Sequence, residues 1–139
     1  MQKTVCIDFD GTLFDHEYPN IGKVKAGARG ATELFRELGW KIIIFSCRTC
    51  SYNPEVFAPK MDDGTPDPMW LRNVMDRKVV ADMVAALSNE GIVFDEIDDG
   101  SKGKPYADLY IDDKGLRFED NWGQIMGRII TGKWFKETV

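Results

Sequence analysis

Two pairs of carboxylates dominate the chemistry written into this chain. Asp8 and Asp10 stand two residues apart and are followed at once by Gly11-Thr12, while Asp112 and Asp113 are adjacent. Each pair closes a short apolar run, Thr4-Val5-Cys6-Ile7 in one case and Leu109-Tyr110-Ile111 in the other. An aspartate at the carboxyl end of a strand can hold Mg²⁺ through hard oxygen ligands, and can also attack phosphorus to form an aspartyl-phosphate. Gly11 lets the backbone turn sharply and come close to an anion. An isolated Asp-Gly is also the mark of an ordinary Asx turn. The uninterrupted Asp-Phe-Asp-Gly-Thr-Leu after an apolar run is far more specific than that.

Other side chains fit the same chemistry. Ser46 ends the run Trp40-Lys41-Ile42-Ile43-Ile44-Phe45, where a hydroxyl is placed to donate to a phosphate oxygen. Arg48 either adds a charge-assisted contact to substrate or ties down the loop that follows. The turn Gly100-Ser101-Lys102-Gly103-Lys104-Pro105 supplies lysines. As a point charge, a lysine there can neutralise a nucleophilic carboxylate and a phosphate together. On the plainer reading both are surface lysines. Cys47-Arg48-Thr49-Cys50 is a Cys-x-x-Cys, which a redox site would place at a helix start. Zinc needs about four ligands, and only Cys6 and His16 are left to complete such a set. The phosphate reading is the better use of these residues. His16, and the acidic run Asp95, Glu96, Asp98 and Asp99, read as solvated loop.

The elements that must position these groups alternate. Val5 and Ile7 suit a strand buried on both faces, as in a parallel sheet under helices, and acids at its end fall in the crevice where open α/β sheets bind ligands. Phe14–Lys25 is turn-rich and reads as a hairpin or flap. Ala28–Leu38 is predicted helical, with Ala31, Leu34, Phe35 and Leu38 at helical spacing and Gly39 as its C′ residue. Cys50–Met69 carries Pro54, Pro59, Pro66 and Pro68, so it reads as neither helix nor sheet interior. Loops of that length act as lids or binding loops, or are passive inserts. Trp70–Glu90 is predicted as one long helix with Val79, Val80, Met83, Val84 and Leu87 as its apolar stripe, followed by Gly91 and a strand at Ile92-Val93-Phe94. Helix–Gly–strand units of this kind predict parallel pairing by right-handed crossovers. Asn121–Ile130 reads as a closing helix weakened by glycines.

The bulk properties set the frame. The 139 residues are 43% hydrophobic and 29% charged, which is the composition of one ordinary globular domain over residues 1–139. A net charge of −5 argues against a surface that coats nucleic acid, though a local metal can still reverse the sign for a phosphorylated substrate. Three cysteines form no framework of secreted disulfides. No apolar run reaches membrane-spanning length and no signal peptide is evident at Met1-Gln2-Lys3, so a cytoplasmic protein without membrane partners is expected.

Taken together, Asp8-Phe9-Asp10-Gly11-Thr12, the strand ending in Ser46, Lys104-Pro105, and Asp112-Asp113 resemble, in order, the four motifs of the haloacid-dehalogenase-like (HAD) superfamily. The resemblance spans residues 5 to 113. It implies a three-layer Rossmann-like α/β fold with a central parallel sheet. A flap at about 14–25 would project over the site, a loop insert would occupy about 51–69, and no separate cap domain would be present. It also implies an Mg²⁺-dependent phosphatase acting on a small phosphorylated metabolite. Asp8 would be the nucleophile and Asp10 the general acid–base. Ser46, Arg48 and Lys104 would bind phosphate, with Lys102 as the alternative lysine. Asp8, Asp112, Asp113 and the carbonyl of Asp10 would hold the metal. The Asp at position 10 favours phosphatase over carbon–halogen chemistry, because dehalogenase relatives lack it. A phosphotransferase or a nucleic-acid end phosphatase could use the same residues.

Overall fold

Strand β1 (Thr4–Asp8) is the axis of the molecule. The computed structural model describes residues 1–49, 58–75, 78–98 and 103–133, with the side chains of residues 73–75 left aside. β1 is followed by an antiparallel hairpin, β2 (Phe14–Glu17) with β3 (Asn20–Val24), then by helix α1 (Ala28–Glu37) and strand β4 (Lys41–Phe45). A single 3₁₀ turn spans Cys47–Thr49. Helices α2 (Pro68–Met75) and α3 (Lys78–Asn89), strands β5 (Glu96–Ile97) and β6 (Leu109–Ile111), and helix α4 (Trp122–Ile130) complete the order.

The four sheet strands are parallel in the order β5-β4-β1-β6. Val5 lies between Ile42 and Leu109, and Ile7 between Ile44 and Ile111. The chain therefore steps outward from β1 to β4 and β5, then returns to the other side of β1 for β6. The order reverses between β1 and β6, so a crevice opens at their carboxyl ends. Asp8 and Asp113 leave the sheet at that point.

The alternation of β1 distributes its side chains over two cores. Val5 and Ile7 join Ile42, Ile44, Phe9, Phe14, Met83 and Leu87 in the larger cluster, while Cys6 and Ile43 meet Ala107 and Phe45 on the opposite face. β1 is thus buried on both faces, as its composition predicts.

Three elements differ from the expectations. The buried face of α1 is Ala28 and Thr32, not the leucine stripe, since Leu34 and Leu38 are 55% and 64% exposed. Small residues let the helix lie close to the sheet, and the Thr32 hydroxyl is satisfied inside the helix by the Ala28 and Arg29 carbonyls. The third strand is not Ile92-Val93-Phe94 but Glu96–Ile97. Asp95 interposes a side chain there: its Oδ2 accepts from Ile42 N at 2.7 Å while its own N donates to Ile42 O at 2.8 Å, and the ladder starts only beyond it. Helix α2 begins inside the proline-rich stretch, because Pro68 needs no donor at the first helical position and Asp67 Oδ1 accepts from Met69 N and Trp70 N. Residues 50–57 of that stretch lie outside the described residues.

Candidate active site

The turn after β1 is built on Gly11. Its φ is +86°, a conformation costly for other residues, and Gly11 N donates to Phe14 O at 2.7 Å. A Cβ placed on Gly11 would overlap the Asp113 carboxyl. The turn consequently passes tight against the Asp113 carboxyl, which in turn hydrogen-bonds to Asp8. Burial, and then the hydrogen bond and charge of Asp113, push Asp8 up from 3.8 to about 7, against the opposing bonds from Thr12 and the Phe9 backbone. Thr12 Oγ1 donates to Asp8 Oδ2 at 3.3 Å.

Asp10 is held quite differently. Arg48 Nε donates to Asp10 Oδ2 at 2.6 Å and Arg48 NH2 donates to Asp10 Oδ1 at 2.8 Å. The same guanidinium donates to the carbonyls of Pro19 and Asn20 at the tip of the hairpin and stacks 5.0 Å from the Tyr18 ring. The Arg48 side chain is 7% exposed and that of Asp10 13%. Arg48 thus takes a part that neither expectation named: it ties Asp10 to the hairpin that precedes it, not to the loop that follows.

A cavity of about 390 Å³ joins these groups, lined by Asp8, Asp10, Ser46, Arg48 and Asp113 together with His16, Tyr18, Cys47, Pro59, Trp70 and Lys114. Ser46 Oγ accepts from Arg48 N at 3.0 Å, so its hydroxyl proton remains to donate elsewhere. Two residues expected at the site stand apart from it. Asp112 Oδ1 caps its own turn by accepting from Lys114 N and Gly115 N. Lys104 Nζ sits 4.3 Å from the Tyr110 ring centroid and is not among the cavity residues. Lys102 lies outside the described residues, as does Cys50, so the Cys-x-x-Cys has one visible member. Burial pushes the Cys6 thiol up to about 12, with the charge of Asp98 adding to the effect, so Cys6 is an unreactive core residue.

Sequence reasoning passed over Lys114, Thr12, Tyr18 and Trp70. Lys114 was legible as the cation directly after paired acids. Tyr18 and Trp70 carried no signal, since their 2.7 Å bond from indole Nε1 to phenol O joins residues 52 apart in the chain.

Among the described residues no three His, Cys, Asp or Glu side chains form a ready-made metal cluster. The donor set nonetheless suits a hard cation. Asp8 and Asp113 bring their carboxyl groups together in the cradle kept open by the missing Cβ of Gly11. Mg²⁺ asks for one or two carboxylates, with waters and substrate oxygens completing the octahedron.

Fold and site together define an α/β protein with a parallel sheet and an acidic cleft at its carboxyl edge. No family model matches the chain, and no curated protein matches it. It is similar in structure to a solved conserved protein from Bacteroides thetaiotaomicron, with 21% sequence identity, a TM-score of 0.54, and coverage of 96% of this chain and 93% of that one. At that identity the likeness is one of fold. No helix among the described residues is long and apolar enough to cross a membrane.

Proposed function

We propose that the chain is an Mg²⁺-dependent phosphomonoesterase of the HAD type, acting through an aspartyl-phosphate on a small phosphorylated metabolite. The observation that carries this reading is the Asp8–Asp113 carboxylate pair at the strand-order reversal, with Asp10 two residues on and Gly11 leaving room between them. Asp8 Oδ attacks phosphorus in line and expels the alkoxide. Asp10 protonates that oxygen and later takes a proton from the attacking water, once substrate draws the Arg48 guanidinium off its carboxylate. Ser46 donates its hydroxyl proton to an equatorial phosphoryl oxygen, and Lys114, which lines the cavity with Arg48 and Asp8, supplies a further positive charge. Asp8 and Asp113 would hold Mg²⁺, with the Asp10 carbonyl as a further oxygen. Bound there, the ion supplies positive charge to the phosphoryl oxygens. The placement of Asp112 and Lys104 leaves their assigned roles to Asp113 and Lys114.

The test is release of inorganic phosphate from a panel of phosphomonoesters with and without Mg²⁺, using wild type and Asp8→Asn. Turnover that requires both Mg²⁺ and Asp8 is expected. Turnover that survives either loss overturns the reading, and transfer of phosphate to an added alcohol in place of water marks a phosphotransferase.

A further inference from the structure

A second cavity of about 310 Å³ adjoins the first. The two share Tyr18, Arg48 and Trp70 in their linings. That shared lining is π-rich: the Arg48 guanidinium carbon lies 5.0 Å from the Tyr18 ring centroid, and the Trp70 indole donates to the Tyr18 hydroxyl. The cavity is also lined by Asn20 from the hairpin, and by Lys78 and Asp82 one turn apart on α3. Neither the Lys78 nor the Asp82 side chain pairs with another described residue. The cavity thus offers aromatic rings and a guanidinium together with a cationic donor, an anionic acceptor and an amide that is both.

We infer that this second cavity is the leaving-group subsite and that it takes a nucleobase, so that the substrate is a nucleoside monophosphate; this rests on the phosphatase reading of Asp8. A planar heterocycle is the ligand whose surfaces match the lining, because its faces stack on aromatic and guanidinium planes while its edge presents donors and acceptors side by side. A polyol or aliphatic acid leaves Tyr18 and Trp70 without a stacking partner. An unsubstituted aromatic leaves Lys78, Asp82 and Asn20 unmatched. The volume is at the lower end of that of small-molecule sites. Arg48 lies at the junction, where its bonds to Asp10, Pro19 and Asn20 connect the general acid to the subsite wall.

Binding can be measured apart from chemistry. Calorimetric titration of wild type with adenosine, guanosine, cytidine and uridine should give saturable binding of at least one. Trp70→Ala should weaken that binding roughly 10- to 100-fold through lost stacking. Asp82→Lys, at an exposed position lining only the second cavity, should weaken it by at least about tenfold. Both changes should lower kcat/KM for the matching 5′-monophosphate more than for glycerol 3-phosphate. Should Trp70→Ala fail to fold, Asp82→Lys carries the comparison. Absence of nucleoside binding to wild type at millimolar concentration, or wild-type affinity in a folded Asp82→Lys, overturns the subsite even where phosphate is released from nucleotides. Nucleoside binding without Mg²⁺-dependent phosphate release supports the subsite and overturns the phosphatase reading.

Discussion

At Asp10 the proposed acid–base role and an observed ion pair meet on one carboxylate. Both oxygens accept from Arg48, so neither faces a substrate oxygen until the guanidinium shifts. Two consequences separate the roles. Asp10→Asn should slow turnover by roughly 10²–10⁴-fold, the range for a lost general acid–base, whereas Asp8→Asn should abolish it. Arg48→Ala should lower unfolding free energy by about 3–5 kcal/mol, because it leaves a buried carboxylate unpaired. Adding Asp10→Asn to Arg48→Ala should recover part of that loss, since the unpaired charge is then gone. Denaturant titration of the three variants decides it, and an Arg48→Ala protein as stable as wild type would remove the pair from the account. Gly11→Ala is the complementary probe. The new methyl would overlap Asp113 and the φ of +86° would be strained, so Mg²⁺ affinity should fall with activity.

Among the elements, legibility followed the period of the pattern. β1 and β4 were readable because short apolar, β-branched runs ending in polar residues have few alternatives. The hidden features were those in which a side chain does what backbone usually does. Asp95 takes a carbonyl's place beside Ile42, which moves the third strand by four residues from 92 to 96. Asp67 closes the start of α2, which turns Pro68 from a loop marker into a helix opener. The candidate site divides in the same way. Asp8, Asp10 and Ser46 sit at strand ends and could be placed from sequence, while Tyr18 and Trp70 meet only through tertiary packing of the hairpin on α2. α2 therefore sets Trp70 through its cap. Asp67→Ala should cost about 0.5–2 kcal/mol of stability. By loosening Trp70, it should also reduce efficiency on the preferred metabolite more than on a small phosphate ester, because only the former draws on remote binding energy. Equal losses on the two substrates would confine Asp67 to a structural part.

For the molecule as a whole, the proposed metal site at Asp8 and Asp113 would tie stability, pH and metal into one equilibrium. An aspartate in the unfolded chain titrates near 3.8, whereas burial and the neighbouring Asp113 keep Asp8 protonated in the folded state up to about 7. Between these values the folded chain binds the extra proton, so unfolding free energy from this site falls as pH rises through the window and is flat above it. A divalent cation bound as proposed would compete with the proton on Asp8. Its apparent affinity should therefore fall roughly tenfold per unit as pH drops below about 7, and level off above. Stabilisation by Mg²⁺ must follow the affinity, since a ligand that binds only the folded state stabilises in proportion to the logarithm of its saturation. Melting curves at pH 5.5 and pH 8, each with EDTA or with a fixed Mg²⁺ concentration, make the comparison. The Mg²⁺-induced rise in Tm should be small at pH 5.5 and large at pH 8, and Asp113→Asn should reduce the rise at pH 8. A rise of equal size at both pH values would place the cation away from this pair, and an undiminished rise in Asp113→Asn would take Asp113 out of the ligand set.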